Sequence, residues 1–91
     1  MLSILIPIFN QDVVKLVDTL QKQCVRSKVN YEILCFDDGS KESIRKANAS
    51  LSAYFGVNYT ELSQNLGRAK IRNWLAKTAS FENLLFLDCD A

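Results

Sequence analysis

The chain has 91 residues, a formal net charge of +1, 48% hydrophobic residues and 23% charged residues. This composition is typical of a globular domain, or of part of one, and it excludes a disordered chain. The near-neutral charge argues against a general nucleic-acid binder. Three widely spaced cysteines fit neither a disulfide framework nor a zinc site, and we expect Cys24 and Cys35 to be buried thiols in a reducing compartment.

The first third of the sequence predicts a strand, a helix and a second strand. The nearly continuous apolar run Leu2–Ile8 indicates a strand buried on both faces. The longest apolar stretch here, Ile4–Phe9, lacks a basic leader and is too short for a signal peptide or a membrane span. Asn10 or Asp12 can cap the next segment, a helix that continues to about Val25. Its apolar residues recur at helical spacing: Val13, Leu16, Val17, Leu20 and Cys24. The second strand covers Tyr31–Phe36.

The rest of the chain repeats this alternation. After the polar turn Asp37–Ser40, a second helix carries Ile44, Ala47, Leu51 and Tyr54 on one face. Alternating residues in Val57–Leu62 predict a third strand nearer the sheet edge. A third helix follows Gly67 and carries Ile71, Trp74, Leu75 and Thr78, and Leu84–Leu87 is predicted as a fourth buried strand. Strands that alternate with helices indicate an α/β fold: an open, mostly parallel, Rossmann-like sheet of about four strands, with right-handed crossovers and helices on both faces.

The unusual residues gather where predicted strands end. The first strand ends in segment 7–10, the second in 37–40 and the fourth in 88–90, and Arg68 and Arg72 lie four residues apart on the third helix. Each cluster alone also fits turn, cap or surface chemistry. Ligands of open parallel sheets bind outside the carboxyl ends of the strands, so the joint arrangement favours one binding crevice.

The patterns that the sequence lacks narrow its chemistry. There is no G-x-G-x-x-G and no G-x-x-x-x-G-K-[ST], which disfavours a dinucleotide fold and a P-loop. There is no histidine, which removes Ser-His-Asp hydrolysis, Cys-His catalysis and histidine-ligated zinc. Paired carboxylates with a hard cation remain, and oxygen ligands suit Mg²⁺ or Mn²⁺.

Four motifs together resemble the amino-terminal half of family 2 glycosyltransferases of the GT-A fold. They are Pro7-Ile8-Phe9-Asn10, Asp37-Asp38-Gly39-Ser40, Asn65 to Asn73, and Asp88-Cys89-Asp90, and they span the whole chain in the order of the family. The resemblance implies that residues 1–91 form the nucleotide-sugar-binding half of a GT-A domain, and that the acceptor half is absent from this sequence. It also implies bacterial polysaccharide biosynthesis as the setting.

The resemblance implies roles for individual residues. The implied nucleotide-binding set is Pro7, Phe9, Asn10, Asp37, Asp38, Gly67, Arg68, Arg72 and Asp88. In this scheme Asp38 accepts a hydrogen bond from the base, most often uracil, while Asp37 supports the turn. Pro7 and Phe9 lie along base and ribose, Gly67 lets the backbone approach the nucleotide, and Arg72 reaches towards base or diphosphate. Asp90 binds Mn²⁺ or Mg²⁺ directly, and Asp88 holds the ribose and the metal's water shell.

Some residues depart from the family pattern. Phe9 stands where tyrosine is usual, which keeps the ring but loses a hydroxyl contact. An acidic residue is common just after Asn10, and here Gln11 precedes Asp12, for which a helix-capping role is at least as good a reading. Cys89 lies between two acids that disfavour its thiolate, so we do not expect it to be a nucleophile.

The resulting hypothesis is an inverting glycosyltransferase, with a UDP-sugar as the favoured donor and a glycan or lipid-linked acceptor. No catalytic residue is expected within the chain, because the family's base lies in the other half. The alternatives are a nucleotidyltransferase of related fold and a catalytically silent nucleotide-binding or assembly module. We expect the isolated chain to self-associate through an uncovered edge and to bind no nucleic acid. The expected location is cytoplasmic, with the inner face of a membrane as an option for a longer protein.

Overall fold

A four-stranded parallel sheet forms the centre of the computed structural model, which describes residues 1–88. The elements in chain order are β1 (Leu2–Ile8), α1 (Val14–Arg26), β2 (Tyr31–Asp37), α2 (Glu42–Asn48), a 3₁₀ helix (Ala49–Ala53), β3 (Val57–Glu61), α3 (Arg68–Thr78) and β4 (Asn83–Phe86). No helix in this part of the chain is long and apolar enough to cross a membrane.

The strand order β3-β2-β1-β4 puts β1 and β2 in the middle. All three pairings are parallel, and β1 and β2 are in register from Leu2↔Tyr31 to Ile8↔Asp37. The first two connections move the chain away from β1 on one side, and the third returns it to the other side of β1. The predicted partial Rossmann-like sheet is therefore confirmed, and β3 lies at the edge as expected.

The alternating side chains of the two central strands divide the core into two layers. One layer joins α1 and the 3₁₀ helix to the sheet through Ile4, Ile6, Ile8, Val13, Val17, Cys24, Ile33, Cys35 and Leu51. The other joins α3 to the opposite face through Leu5, Leu34, Phe36, Ile71 and Leu75. Both faces of β1 and β2 are covered, which explains why their sequences are continuously apolar and why they were predicted as buried strands.

The second helix differs from its predicted form. It is α-helical only as far as Asn48 and then tightens into the 3₁₀ helix at Ala49–Ala53. Leu51 is fully buried in this tighter segment, and the side chain of Asn48 is buried where the two helical forms meet. Contacts of the Asn48 amide with the loop before α1 fix this point of change.

Apolar side chains of α3 and of the fourth strand, which was predicted to be buried, are exposed within residues 1–88. Trp74 is 49% exposed, since at about 100° per residue it lies roughly 80° from the middle of the face formed by Ile71 and Leu75. On the fourth strand, Leu84 is 41% and Leu85 is 43% exposed. Within residues 1–88 this strand pairs only with β1, so it is an edge strand rather than a buried one.

The predicted apolar faces of α1 and α3 also extend too far. Leu16 is 37% exposed, although Val17 beside it is completely buried. Thr78 at the end of α3 is exposed, and its hydroxyl donates to the Trp74 carbonyl at 2.8 Å instead of packing on the sheet. Helical spacing marked the correct side of each helix but not the width of the contact.

Candidate functional site

An open cleft of about 280 Å³ lies at the carboxyl ends of β1, β2 and β4. Its position is the point where the chain connections diverge on either side of β1, which is where open α/β sheets bind ligands. Six residues predicted from the sequence line it, namely Pro7, Phe9, Asp38, Gly67, Arg68 and Asp88. The remaining lining residues, which sequence reasoning did not select, are Ile8, Gln11, Asn65 and Ile71.

Asp38 connects two walls of this cleft. Its carboxylate is 5% exposed and accepts the Leu66 N–H at 2.6 Å on Oδ1 and the Gly67 N–H at 3.0 Å on Oδ2. Its own N–H donates to the Ile8 carbonyl at 2.8 Å. One residue thus fixes the end of β1 and the loop before α3. Each carboxylate oxygen has a second lone pair, so both remain able to accept a further hydrogen bond.

Gly67 is the N-cap of α3 and has a conformation that favours glycine, with a φ of +86°. A β-carbon placed there would have no atom within 4 Å, so the backbone faces open space where it lines the cleft. The structure therefore leaves room for a ligand to approach this backbone closely.

Asp37 lies beneath the cleft rather than on its wall. Its side chain is fully buried, and Oδ1 accepts the N–H groups of Gly39 at 3.0 Å and Ser40 at 2.7 Å, which closes the turn after β2. Its Oδ2 is buried and has no hydrogen-bond partner within the described residues. On neighbouring β3, burial, the hydrogen bond to Glu61 and the Asp37 charge together raise the pKa of Tyr59.

Asn10 is also outside the cleft lining. It adopts a left-handed φ of +57°, its N–H donates to Ser40 Oγ at 2.7 Å, and its Oδ1 accepts the Lys41 N–H at 2.8 Å. These two bonds join the loop after β1 to the turn after β2. In the structure Asn10 therefore holds the two loops together.

The loop that leads into α1 is held mainly by a residue from a distant part of the chain. Asn48 Oδ1 accepts the Val13 N–H at 3.0 Å, and Asn48 Nδ2 donates to the Gln11 carbonyl at 2.8 Å. Asp12 Oδ1 accepts the Val14 N–H at 3.0 Å, so of the two caps predicted, Asp12 rather than Asn10 makes the contact. Sequence spacing offers no signal for Asn48, which lies 35 residues from Val13.

The two arginines of α3 differ in their position relative to the cleft. Arg68 lines the cleft, whereas Arg72 is not part of its lining. Arg72 Nη1 lies 3.2 Å and 3.3 Å from the two oxygens of Asp88, and its guanidinium lies 4.2 Å from the centre of the Phe86 ring. Arg72 therefore orients Asp88, which does line the cleft.

Residues 1–88 supply only part of the predicted carboxylate ligands for a hard cation. Asp88 offers oxygen ligands at the cleft, and its side chain is 45% exposed. The described residues contain no group of three or more Asp, Glu, Cys or His side chains that could hold a metal. Because Mg²⁺ usually takes one or two carboxylates plus phosphate oxygens and water, one Asp88 carboxylate is compatible with it. Cys89 and Asp90, the other members of the predicted motif, lie outside the described residues.

The two cysteines within residues 1–88 are buried thiols. Cys24 and Cys35 are buried in the core, as expected from their apolar positions. Burial raises the pKa of the Cys24 thiol, which disfavours its nucleophilic thiolate form.

Comparison with known proteins agrees with this geometry. An uncharacterized glycosyltransferase of Haemophilus influenzae is 36% identical over 92 residues, which are 99% of this chain and 29% of that protein. The chondroitin synthase of Escherichia coli is 30% identical over 98% of this chain and 13% of its own length. The crystal structure of Staphylococcus aureus TarS 1-349 in complex with UDP-GlcNAc superposes with a TM-score of 0.79 at 26% identity, over 98% of this chain and 26% of that chain.

The chain thus spans less than a third of the length of each of these relatives. Nearly all of it is matched, however, and the partial GT-A fold expected from the motifs is the fold observed. Residues 3–91 match the profile of glycosyl transferase family 2, and the chain belongs to that family.

Proposed function

We propose that this chain is the donor-binding part of an inverting glycosyltransferase that uses a UDP-sugar. The observation that carries the proposal is the cleft at the carboxyl ends of β1, β2 and β4, where Phe9, Asp38 and Arg68 meet. The UDP-GlcNAc complex of a TarS fragment, at 26% identity, supports a uridine nucleotide as ligand. In this assignment residues 1–91 form the donor half of the domain, and the acceptor half comes from other sequence.

The cleft provides different surfaces for the parts of a nucleotide. Phe9 is half exposed and offers a ring face for stacking along base and ribose, with the Pro7 backbone beside it. Asp38 can accept a hydrogen bond from the base on the lone pairs that its two backbone contacts leave. Gly67 leaves space for the diphosphate next to the start of α3, and Arg68 supplies positive charge for charge-assisted hydrogen bonds to it.

Three further residues of the implied set lie outside the lining of the cleft. Asn10 and Asp37 hold the loops after β1 and β2 in the positions that shape the cleft. Arg72 holds the Asp88 carboxylate through its guanidinium and is placed to reach the diphosphate if that pair opens. We therefore assign to Asn10 and Asp37 a positioning role in nucleotide binding.

Asp88 and Asp90 are the residues that would hold Mn²⁺ or Mg²⁺. When bound, a divalent cation stabilises the negative charge that develops on the phosphate oxygens of the leaving nucleotide. In a single displacement, the acceptor hydroxyl oxygen forms a bond to the anomeric carbon while the bond from that carbon to the diphosphate oxygen breaks. The hydroxyl proton passes to a carboxylate base outside residues 1–91, and UDP leaves.

The decisive experiment is a calorimetric titration of UDP into the full-length protein with and without Mn²⁺. We expect Mn²⁺ to strengthen UDP binding about tenfold or more, and Asp90→Asn to abolish that gain. Asp12→Asn is the matched control, since it makes the same carboxylate-to-amide change at an exposed helix start. Equal affinity with and without Mn²⁺, or a normal metal effect in Asp90→Asn, would contradict the proposal.

The wider assignments are also proposals. We propose a glycan or lipid-linked acceptor, a cytoplasmic location at or near the inner face of a membrane, and self-association of the isolated chain. The exposed Leu84 and Leu85 of the edge strand support self-association, because an uncovered apolar edge pairs readily with another chain. Light scattering across a concentration series tests this point, and a monomer at high concentration would contradict it.

A further inference from the structure

A second cleft, of about 410 Å³, shares a wall with the donor cleft. That wall is the loop held by Asp38: Asn65 and Gly67 line the donor cleft, whereas Leu66 between them lines the second one. The other lining residues are Glu61, Leu62, Ser63, Gln64 and Trp74. Its volume lies within the range of about 300–1,000 Å³ that is common for small-ligand sites.

The apolar part of this cleft is dominated by Trp74, the one tryptophan of the sequence. It projects from the flank of α3 and is 49% exposed, while Leu62 and Leu66 beside it are half buried. An exposed indole at a cleft presents a large flat apolar face together with an N–H donor. Such a surface suits a flat ligand that has apolar faces and polar edges.

The polar part is uncharged apart from Glu61. Ser63 and Gln64 are exposed and provide a hydroxyl and an amide, each able to donate and to accept. The Glu61 carboxylate accepts the Tyr59 hydroxyl at 3.0 Å and lies 3.9 Å from an Arg45 nitrogen. The lining of this cleft, among residues 1–88, includes no lysine or arginine, whereas the donor cleft includes Arg68. This composition disfavours phosphates and favours a neutral, hydroxyl-rich ligand.

From this combination we propose that the Trp74 cleft is a carbohydrate-binding subsite that holds a pyranose ring of a glycan. The C–H face of the ring stacks on the indole, and the ring hydroxyls exchange hydrogen bonds with Ser63 and Gln64. The subsite is separate from the donor cleft but shares the loop 65–67 with it, so it holds part of the acceptor glycan away from the transfer point. This use of the subsite rests on the proposed glycosyl transfer.

The test uses the intrinsic fluorescence of residues 1–91, in which Trp74 is the one tryptophan and its emission therefore reports this cleft. The 91-residue chain is titrated with chitotetraose, cellotetraose and a chondroitin tetrasaccharide. We expect a saturable change in emission with at least one of the two neutral tetrasaccharides. The acidic chondroitin tetrasaccharide should bind more weakly because of Glu61 in the lining.

Variants locate the binding. Gln64→Ala keeps the fluorescent reporter and should weaken tetrasaccharide binding several-fold. Trp74→Ala, followed by calorimetry, should weaken it about tenfold, the size of one aromatic stacking contribution. Phe55→Ala is the matched control, because Phe55 is an aromatic residue that is 81% exposed but lies outside this cleft. It should leave the affinity unchanged.

A parallel titration with UDP and Mn²⁺ separates this inference from the proposed function. Normal UDP binding without a fluorescence response to any of the three tetrasaccharides overturns the carbohydrate subsite and leaves the donor assignment intact. Tetrasaccharide binding without UDP binding supports the subsite and contradicts the donor assignment. Equal losses in Trp74→Ala and Phe55→Ala would also overturn the subsite, because binding would then follow exposed aromatic surface in general.

Discussion

Replacement of Asp38 by asparagine tests how the fold positions the candidate site. The carboxylate accepts the Leu66 N–H at 2.6 Å and the Gly67 N–H at 3.0 Å, one on each oxygen. Asparagine keeps one oxygen and turns an NH₂ group towards the other backbone donor. One of the two bonds is therefore lost, and two donors face each other in a site that is 5% exposed.

The expected loss follows from the energy of one such bond. A hydrogen bond to a charged group contributes about 1.5–3 kcal/mol net, so Asp38→Asn should lower the free energy of unfolding by about 2 kcal/mol. Asp38→Ala removes both bonds and should lower it by about 4 kcal/mol. A small domain has about 5–15 kcal/mol in total, so both variants should remain folded under native conditions in all but the least stable case.

Urea denaturation followed by far-ultraviolet circular dichroism measures this loss. With a slope near 1 kcal/mol per molar urea, the midpoint of Asp38→Asn should fall by about 2 M. Asp12→Asn is the control, since an asparagine caps a helix as well as an aspartate and the change should stay within about 0.5 kcal/mol. A midpoint for Asp38→Asn equal to that of this control would refute the proposed role of the carboxylate.

Three other perturbations test the packing around the site. Asn48→Ala leaves a buried backbone donor and a partly buried acceptor unpaired, so urea denaturation should show a loss of about 2 kcal/mol. Gly56→Ala should lower stability more than Gly67→Ala, because a β-carbon at Gly56 would lie 2.6 Å from a tyrosine ring whereas at Gly67 it meets no atom. In a UDP titration, Gly67→Ala should instead weaken binding more than Gly56→Ala. The pKa of Tyr59 is raised in the folded state, so its contribution to stability is fully present below pH 10, the pKa of tyrosine in the unfolded chain, and declines as the pH rises further. Tyr59→Phe removes this titration and should therefore lose less stability above pH 10 than the unmodified chain. Parallel curves of stability against pH would contradict this.

The fold was largely predictable because short-range patterns determine it. The apolar runs of β1 and β2 and the helical spacing in α1 and α3 are local signals, and each predicted element exists. The errors occurred where burial depends on neighbours that spacing does not reveal. Leu84 and Leu85 are as apolar as the central strands, yet the described part of the chain provides only β1 as their partner.

The site was predictable in position but less so in detail. Parallel strands bring their carboxyl ends to one edge, and this rule alone brings Pro7, Asp38 and Asp88 together. The part that each residue plays depends on contacts between distant segments. The bond from Asn10 to Ser40 spans 30 residues and that from Asp38 to Gly67 spans 29, so no motif spacing could indicate either contact.

A loss of UDP binding in an Asp38 variant can have two causes, a lost contact with the ligand or a displaced loop. In the proposed function Asp38 contacts the base through its remaining lone pairs, and in the structure it fixes Leu66 and Gly67, so Asp38→Asn would weaken UDP binding by either route. Amide hydrogen exchange separates the two routes. If positioning dominates, the Leu66 and Gly67 amides lose protection in the variant even without nucleotide, and UDP restores part of it. If the base contact dominates, these amides stay protected in the free variant while its affinity for UDP still falls.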